Sequence, residues 1–401
     1  MSKDAKNVPA LRFKGYSDAW EKRKLGELVE IQNGYAFESK YFTEAPTKFV
    51  VVTPGSVLIG GGFRFGSGHF YDLNGPVPRD FVFKPGDLFL TLTDLTPSAR
   101  LLGYSAFVPH DDNVYLHNQR LGKIESIGSS LSFIYYLTST PSFHNAIVRG
   151  ASGTTVKHSS KAKVLSYQSE IPFLSEQHQI SSFLKKFDDL IAATQHKIDA
   201  LEQAKKVLLQ RLFDQSWRFK DYSDPWEKRK FKNLVVRVNK TSDNSTIPSV
   251  EFEDIISKQG RLNKDVRLKV NSKQGIYFEP QDVLFGKLRP YLQNWLFPSF
   301  YGRAVGDFWV LRANSSLLSE YLFVLIQSPR FQSVANISSG TKMPRSDWNT
   351  VSNTSFSIPV QSEQRRIEQL FNVLDDLIAA TQSRLSSLEL LKKFLLQNLF
   401  I

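Results

Sequence analysis

The segment DDLIAATQ occurs at residues 188–195 and recurs letter for letter at residues 375–382, an offset of 187 residues. A second repeat lies upstream of each copy: RFKGYSDAWEKRK at 12–24 recurs as RFKDYSDPWEKRK at 218–230, with eleven of thirteen positions identical. Two long matches in the same order do not arise by chance. The chain is therefore a tandem duplication, and its fold has to be interpreted as two related halves.

The two copies have diverged between these matched ends. FKPGDL at 83–88 parallels FEPQDV at 278–283, and the triplet SGT at 152–154 recurs at 339–341. The offset falls from 206 residues at the front to 187 at the back, so the second copy has lost residues in its middle. Ends that stay alike around a changing middle indicate one scaffold that carries two different binding surfaces.

Each DDLIAATQ segment lies inside a long helical pattern, in which apolar side chains recur every three or four residues over 176–213 and again 187 residues later. This spacing is typical of a coiled coil. We expect the two helices to pair antiparallel about a pseudo-twofold axis; the alternative is two independent amphipathic helices, each packed on its own domain. The apolar positions are Ile180, Phe183, Leu184, Phe187, Leu190, Ile191, Ile198, Leu201, Leu208 and Leu212, then Ile367, Leu370, Phe371, Leu374, Leu377, Ile378, Leu385, Leu388, Leu395 and Leu399.

The remaining sequence is typical of mixed α/β domains. Short apolar runs bounded by Gly and Pro predict strands at 48–58, 87–93 and 282–288, and helices are predicted at 132–138 and 320–327. The expected fold class is α+β: two tandem mixed α/β domains, separated and followed by long helices. The expected boundaries are 1–174, 175–215, 216–360 and 361–401.

The positive charge is unevenly distributed along the 401 residues, which carry a net charge of +12. Residues 1–174 have 19 basic and 15 acidic side chains, and residues 216–360 have 21 and 13. The helical segments 175–215 and 361–401 are neutral, with 6 of each sign and 5 of each sign. All of the excess lies in the two predicted domains, which indicates that these domains bind a polyanion.

Several kinds of site are absent from the sequence. There is no GxxxxGK[ST] phosphate-binding loop and no HExxH pair, and cysteine is absent. Asp224-Pro225-Trp226 resembles part of a methyltransferase motif but lacks its second proline, and its counterpart is Asp18-Ala19-Trp20. We expect no catalytic residue, metal or cofactor in this chain, and no signal peptide or membrane span. These features predict a cytoplasmic protein.

The order of variable domain, long helix, variable domain and long helix resembles the specificity subunit of a Type I restriction–modification system. The likeness covers essentially the whole chain. The segments that carry it, besides the DDLIAATQ helices, are WEKRKLGEL at 20–28, WEKRKFKNL at 226–234, the two SGT triplets, IPFLSEQ at 171–177 and IPVQSEQ at 358–364.

The resemblance implies a division of labour between this chain and its partners. Each variable domain would be a target recognition domain that reads one half of a bipartite site in double-stranded DNA. The long helices would set the spacer and dock two methyltransferase (modification) subunits, which use S-adenosylmethionine to methylate adenine. An ATP-dependent nuclease and translocase (restriction) subunit would join for cleavage, with ATP and Mg²⁺ bound by the partners.

The candidate DNA-contacting residues lie in two kinds of loop. Arg pairs with guanine and Asn or Gln with adenine, while Gly, Thr and Lys suit phosphate contacts. The alternatives are solvated loops and helix-entry turns. The candidates after the predicted strands are Thr91, Thr93, Asp94, Ser98, Arg100, Lys287, Arg289, Tyr291, Gln293 and Asn294. Those around the SGT triplets are Gly153, Thr154, Thr155, Lys157, Gly340, Thr341 and Lys342.

A function of another class is also consistent with the repeat. Two similar protein-binding domains on a coiled coil would make a scaffold protein that does not contact DNA. Such a protein would not need positive charge confined to its domains, so the charge distribution favours the DNA-binding interpretation.

Overall fold

The computed structural model describes residues 7–269, 272–337 and 343–401. The chain divides into two compact units. The first unit comprises Met1–Ala193 with Leu385–Ile401, and the second comprises Thr194–Arg384. Each unit therefore contains one globular part together with portions of both long helices, whereas the predicted boundaries assign the helices to segments of their own.

The first unit contains two four-stranded sheets, with strand orders β2-β10-β6-β8 and β3-β5-β4-β9, and two short ladders, β1-β12 and β7-β11. Most pairs are antiparallel, whereas β4 and β9 are parallel. The strands are β1 (Glu21–Lys24), β2 (Val29–Asn33), β3 (Phe42–Thr43), β4 (Phe49–Val52), β5 (His69–Tyr71), β6 (Leu88–Thr91), β7 (Thr93–Asp94), β8 (Ser105–Phe107), β9 (Val114–His117), β10 (Leu121–Ser126), β11 (Lys157–His158) and β12 (Gln168–Ile171). The helices are α1 (Leu131–Thr138), α2 (Pro141–Arg149), α3 (Lys161–Leu165) and the central helix α4 (Leu174–Phe213), whose first half belongs to this unit.

The second unit repeats part of this topology: its sheet β14-β23-β20-β21 and ladder β13-β24 correspond to β2-β10-β6-β8 and β1-β12. Its other sheet, β15-β19-β22-β16, has a different strand order, and its ladder β17-β18 is a local hairpin. Its strands are β13 (Glu227–Lys230), β14 (Val235–Val238), β15 (Thr241–Ser242), β16 (Ser249–Val250), β17 (Ile255–Ile256), β18 (Arg261–Leu262), β19 (Gly275–Phe278), β20 (Val283–Gly286), β21 (Trp295–Leu296), β22 (Gly302–Ala304), β23 (Phe308–Ala313) and β24 (Ser355–Ile358). Its helices are α5 (Ser319–Gln327), α6 (Pro329–Ala335), α7 (Trp348–Asn353) and the first part of the terminal helix α8 (Gln361–Asn398).

The predicted strands and helices are present, and the two prolines just after the predicted short helices have a further role. Pro141 and Pro329 each occupy the first position of the next helix, where a missing N–H removes no hydrogen bond. Thr140 and Ser328 cap these helices by accepting from backbone N–H groups. The long helices begin at Leu174 and Gln361.

Strand β6, in the sheet β2-β10-β6-β8, and strand β20, in the sheet β14-β23-β20-β21, are each buried on both faces. Leu88 and Leu90 of β6 pack into a core with the helices, while Phe89 between them packs into a separate core against the second sheet. In β20, Val283 and Phe285 point to the helical core and Leu284 to the other core. Successive side chains of a strand alternate between its faces, so one short strand holds two cores together.

The long helices pack against each other inside each unit. In the first unit, Ile180 and Leu184 of the central helix share a core with Leu395 and Leu399 of the terminal helix. In the second unit, Leu209 and Leu212 share a core with Ile367 and Phe371. Residue numbers rise along one helix as they fall along the other, so the predicted antiparallel pairing is confirmed and the alternative of independent helices is wrong.

The apolar positions predicted to form the contact between the two long helices are buried unevenly. Ile180, Ile198, Ile367, Ile378 and Leu395 are at most 7% exposed. Other predicted contact positions are partly buried: Phe187, Ile191, Leu201, Leu208, Leu374, Leu385 and Leu388. Leu190 and its equivalent Leu377 are 42% and 45% exposed, so their assignment to the apolar stripe is corrected: they lie on the outer faces of the helices.

The same interhelical ion pair occurs once in each unit. Lys392 Nζ lies 2.5 Å from Asp188 Oδ1 in the first unit, and Lys205 Nζ lies 2.6 Å from Asp375 Oδ1 in the second. The two aspartates are equivalent through the offset of 187 residues, and so are the two lysines. Burial raises the pKa of Asp375 above its usual value, and the attraction of Lys205 opposes that rise.

A buried glutamate near the start of each long helix connects the repeated segments. Glu176 is 1% exposed, and its two carboxylate oxygens accept from Arg12 Nε and Nη2 at 2.8 and 2.9 Å. Trp20 Nε1 donates to the same carboxylate at 3.2 Å. The repeated Arg and Trp residues thus bind the Glu of the repeated SEQ triplet, which explains why these segments match.

The second unit repeats the arrangement. Glu363 is 0% exposed and accepts from Arg218 at 3.0 and 2.7 Å and from Trp226 Nε1 at 3.0 Å. The following glutamine is also used in the same way in both copies. Gln177 accepts from Ser130 N, and Gln364 accepts from Leu318 N, so each SEQ triplet also fixes the start of a domain helix.

Replacing Glu176 by Gln is expected to destabilise the first unit by about 3–5 kcal/mol, because Arg12 loses its carboxylate in a largely buried site. The matched change Glu363→Gln should act equally on the second unit. The control is Asp189→Asn, which breaks an ion pair with Lys185 that is about two-thirds exposed and should cost below about 1 kcal/mol. Urea unfolding gives the magnitude and hydrogen exchange the affected unit. Equal effects of Glu176→Gln and Asp189→Asn would contradict the assignment.

Reversing the interhelical ion pair tests the register of the helices. Asp188→Lys and Lys392→Asp should each destabilise the first unit, and the double variant should recover stability, with a coupling of about 0.5–3 kcal/mol. The control combines Asp188→Lys with Lys205→Asp, two residues of one helix that form no pair with each other, and should show no recovery. Recovery in the control, or none in the true pair, would mean that the register is different. The free energy of unfolding of each variant is the measurement.

Candidate DNA interface

In each unit, a turn follows the buried strand β6 or β20. The first set of candidate residues lies at the ends of these strands and on these turns. In the first unit, β6 leads through β7 into residues 95–101. Three candidates expected in an exposed loop are instead part of these strands: Thr91, Thr93 and Asp94 are 0%, 6% and 1% exposed. Their expected place in a loop is therefore corrected: these side chains lie in strands and are buried inside the unit.

The buried Asp94 fixes the shape of this turn. Its Oδ1 accepts from Thr96 N and Oγ1, each at 2.8 Å, and its Oδ2 accepts from Leu101 N at 2.6 Å. Thr91 Oγ1 donates to the Leu101 carbonyl oxygen, and Ala99 has a left-handed φ of 50°. The turn is therefore held from inside by polar groups.

The loop around the first SGT triplet lies beside this turn. Strand β11 pairs with β7, with Lys157 opposite Asp94 and His158 opposite Thr93. Thr93 Oγ1 and His158 Nδ1 are 3.0 Å apart. The structure thus brings the two predicted loops of this unit together, although they are about sixty residues apart in the sequence.

Gly153 requires its residue type. Its φ is 91°, and a Cβ there would collide with the carbonyl oxygen of Val156. Lys157 Nζ donates to the Gly153 carbonyl oxygen at 2.7 Å. The outer surface of the two loops presents exposed candidates beside the partly buried Lys157, namely Ser98, Arg100, Gly153, Thr154 and Thr155.

The equivalent turn of the second unit has an unusual backbone. Arg289 (φ 47°, ψ 59°) and Gln293 (φ 58°, ψ 49°) are both left-handed and flank the 3₁₀ turn Pro290–Leu292. Residues other than glycine adopt this conformation at a cost of roughly 1–2 kcal/mol each. Backbone strain of this kind persists where the surrounding structure enforces it, and it is concentrated at functional sites.

Candidates on this turn differ in accessibility. Arg289 is exposed and Tyr291 is 54% exposed, whereas Lys287 and Gln293 are partly buried. Asn294 is 6% exposed and its Oδ1 accepts from Ser257 Oγ at 2.7 Å, so its expected place in an exposed loop is wrong. The remaining candidates, Gly340, Thr341 and Lys342, lie outside the described residues.

The second turn also gains a cation that the sequence reasoning missed. Leu288 forms a β-bridge with Arg345, and Arg345 Nε and Nη2 lie 3.1 and 3.0 Å from Asp307 Oδ2. Lys287 Nζ is 3.5 Å from Asp307 Oδ1. Two cations share one carboxylate, so the cluster keeps a net positive charge. The only sequence signal was the position of Arg345 just after the second SGT triplet.

Among the described residues, no three His, Cys, Asp or Glu side chains form a group that could hold a metal ion. In the same part of the chain, no helix is long and apolar enough to cross a membrane.

Comparison with known proteins finds specificity subunits throughout. A sequence model described as the Type I restriction modification DNA specificity domain matches residues 17–203. The chain is 22% identical over 299 residues to the Type I restriction enzyme MjaVIII specificity subunit of Methanocaldococcus jannaschii, covering 68% of this chain and 70% of that protein. It is 26% identical over 192 residues to the EcoBI specificity subunit of Escherichia coli, covering 48% and 36%.

Solved structures share the fold. The crystal structure of the S subunit of a Type I restriction–modification system from M. genitalium superposes with a TM-score of 0.63 at 15% identity, over 98% of this chain and 99% of that one. A chain from a structure on the assembly and conformational transition of the type I R-M system gives a TM-score of 0.53 at 16% identity, over 94% and 96%. Repeat, fold and sequence matches agree: residues 17–203 match the Type I restriction modification DNA specificity domain, and the chain is similar to specificity subunits of Type I restriction enzymes.

Proposed function

We propose that each unit reads one half of a bipartite DNA site through the turn after its buried strand, β6 or β20, and the neighbouring loop. The observation that carries this is a duplicated scaffold with two different turns at the same place. In the first unit the turn presents Ser98 and Arg100, and in the second it presents Arg289 and Tyr291. Identical readers would recognise identical half-sites, whereas these two would recognise different ones.

The two loops of each surface suit different contacts. Guanidinium groups such as those of Arg100 and Arg289 can bind guanine through two hydrogen bonds in the major groove. The Gly153 loop, with Thr154, Thr155 and Lys157, suits the DNA backbone, because glycine allows close approach and the others donate hydrogen bonds. We assign Thr91, Thr93, Asp94 and Asn294 to support of the turns.

The long helices are proposed to dock two methyltransferase subunits and to set the spacer between half-sites. Their outer faces support docking: Leu190, Leu377, Leu390, Leu391 and Phe394 are 42–69% exposed, on segments with no net charge. The partners would bind S-adenosylmethionine and methylate adenine. An ATP- and Mg²⁺-dependent restriction subunit would join for cleavage, in the cytoplasm.

The scaffold alternative is not favoured. A protein that only joins partner proteins does not require cations grouped on the turns, or positive charge restricted to the globular parts, and residues 17–203 match a DNA specificity domain.

The direct test is to sequence the methylated adenines of cells that express this chain with its methyltransferase partner. A motif of two different half-sites with a fixed gap is expected. Exchanging residues 25–150 for the matching part of a relative should change one half-site and leave the other unchanged, because the repeated ends are kept. If both half-sites changed together, the two-reader proposal would be wrong.

Individual contacts are tested with Arg100→Ala and Arg289→Gly, since glycine fits the left-handed backbone at position 289. Each variant should relax one position of a different half-site and cost about 1–3 kcal/mol of specific binding. Lys393→Ala, an exposed change on the terminal helix, is the control and should leave specificity unchanged. Competition binding with cognate and random duplexes is the measurement. Equal losses on both duplexes would reassign that arginine to the backbone or to the fold.

A further inference from the structure

The turn Arg289–Gln293 is fixed at both ends by backbone hydrogen bonds. Arg289 N donates to the Pro344 carbonyl oxygen at 2.7 Å, and the carbonyl oxygen of Gln293 accepts from Lys258 N at 2.9 Å. Within the turn, Gln293 N donates to the Pro290 carbonyl oxygen at 2.9 Å. Pro290 is buried and its ring restricts the backbone. The backbone of the turn is therefore held at both ends.

Two large side chains project from this fixed apex. Tyr291 is 54% exposed and its neighbour Leu292 is 39% exposed. Single exposed apolar residues are common on protein surfaces and need no explanation. Here two adjacent ones lie on a strained turn that begins at Arg289, follows Lys287 in sequence and is bridged to Arg345 through Leu288.

The first unit has a counterpart at the same place. Leu95 is 51% exposed and directly follows Asp94, whose carboxylate fixes that turn. Arg100 and Lys157 supply the cations there. The two turns share no sequence, and different hydrogen bonds hold each of them, yet both expose an apolar side chain on a turn that also carries an exposed arginine.

We propose that Tyr291 and Leu292 form a wedge that inserts between two neighbouring base pairs of the second half-site and kinks the DNA. The inference rests on the proposed function, because it requires this turn to face DNA. Apolar side chains that insert into a base step partly unstack it and bend the duplex. A rigid turn is needed for this, since a flexible one would yield before the bases separate.

The surrounding cations complete the device. Lys287 and Arg345 can hold phosphates beside the opened step, which compensates for lost stacking. The cost of a kink depends on the step that is deformed, and pyrimidine–purine steps such as TA and CA are the most easily unstacked. The wedge would therefore add specificity for a flexible step at a position where no side chain hydrogen-bonds a base.

The test uses the full chain assembled with its methyltransferase subunits and a duplex that contains the methylated motif found in cells. The duplex carries a fluorophore at each end to report bending and 2-aminopurine along the second half-site to report unstacking. Wild type should bend the duplex by about 20–90° and raise 2-aminopurine fluorescence at one step. Tyr291→Ala with Leu292→Ala should remove both signals and weaken specific binding at least tenfold.

Two further variants are matched controls for the double substitution. Tyr291→Phe keeps the ring and should keep the bend, which separates a wedge from a hydroxyl that hydrogen-bonds a base. Tyr301→Ala removes another tyrosine of this unit, 55% exposed, and should change nothing. A mismatch at the opened step should tighten wild-type binding several-fold and leave the double variant unaffected, because only the wild type opens that step.

The outcomes separate this inference from the function on which it rests. Specific binding by wild type to straight, fully stacked DNA would overturn the wedge and leave the DNA-reading proposal intact. Loss of binding on replacing a thymine by uracil, again with straight DNA, would also overturn it, by showing that the apolar tip touches a methyl group in the major groove. Failure of wild type to prefer the motif over random DNA would overturn the proposed function itself.

Discussion

The carboxylate near the start of each long helix is the contact on which the rest of the architecture depends. Glu176 and Glu363 are almost completely buried, and each binds an arginine and a tryptophan from the segment that begins its own half of the repeat. An ion removed from water costs several kcal/mol unless its partners are in place. Arginine, tryptophan and glutamate therefore cannot change independently. The matched ends of the two copies follow from this constraint.

These contacts and the buried strands constrain only part of each unit, and the side chains on the remaining surface can differ between the two copies. The anchoring side chains of Trp20, Glu176, Trp226 and Glu363 are buried. Strands β6 and β20 are buried on both faces, and substitution there disturbs two cores at once. The turns that leave β6 and β20 have no such restriction on their outward side chains. Their backbones are nevertheless fixed, by a buried aspartate in one unit and by hydrogen bonds around left-handed residues in the other. The outward side chains of these turns can therefore differ between the two copies while the backbone of each turn stays fixed.

The sequence predicts the long helices better than it predicts the residues exposed on the turns, for physical reasons. The apolar face of a helix is recognised from the spacing of its apolar residues, so the long helices and their antiparallel pairing could be inferred. Leu190 and Leu377 are exceptions, because they have this spacing but face outward. The sequence predicts Thr91, Thr93 and Asp94 as loop residues that contact DNA. Thr and Asp side chains can hydrogen-bond to bases, but they also stabilise turns by hydrogen-bonding to the backbone. Only tertiary burial distinguishes the two uses. Arg345 reaches the second turn through a bridge to Leu288, and no local pattern encodes that pairing.

The left-handed residues were equally hidden, because neither is glycine or asparagine, the residue types that usually signal such a backbone. Arg289 and Gln293 are held there by neighbours far away in the sequence, Pro344 and Lys258. A side chain on a turn with this support loses little further freedom when DNA binds, and its contact energy is not spent on ordering the loop. Specificity then depends on what the apex carries. Hydrogen bonds to distant parts of each unit thus keep its surface turn rigid. The same fold can therefore present a different recognition turn in each copy.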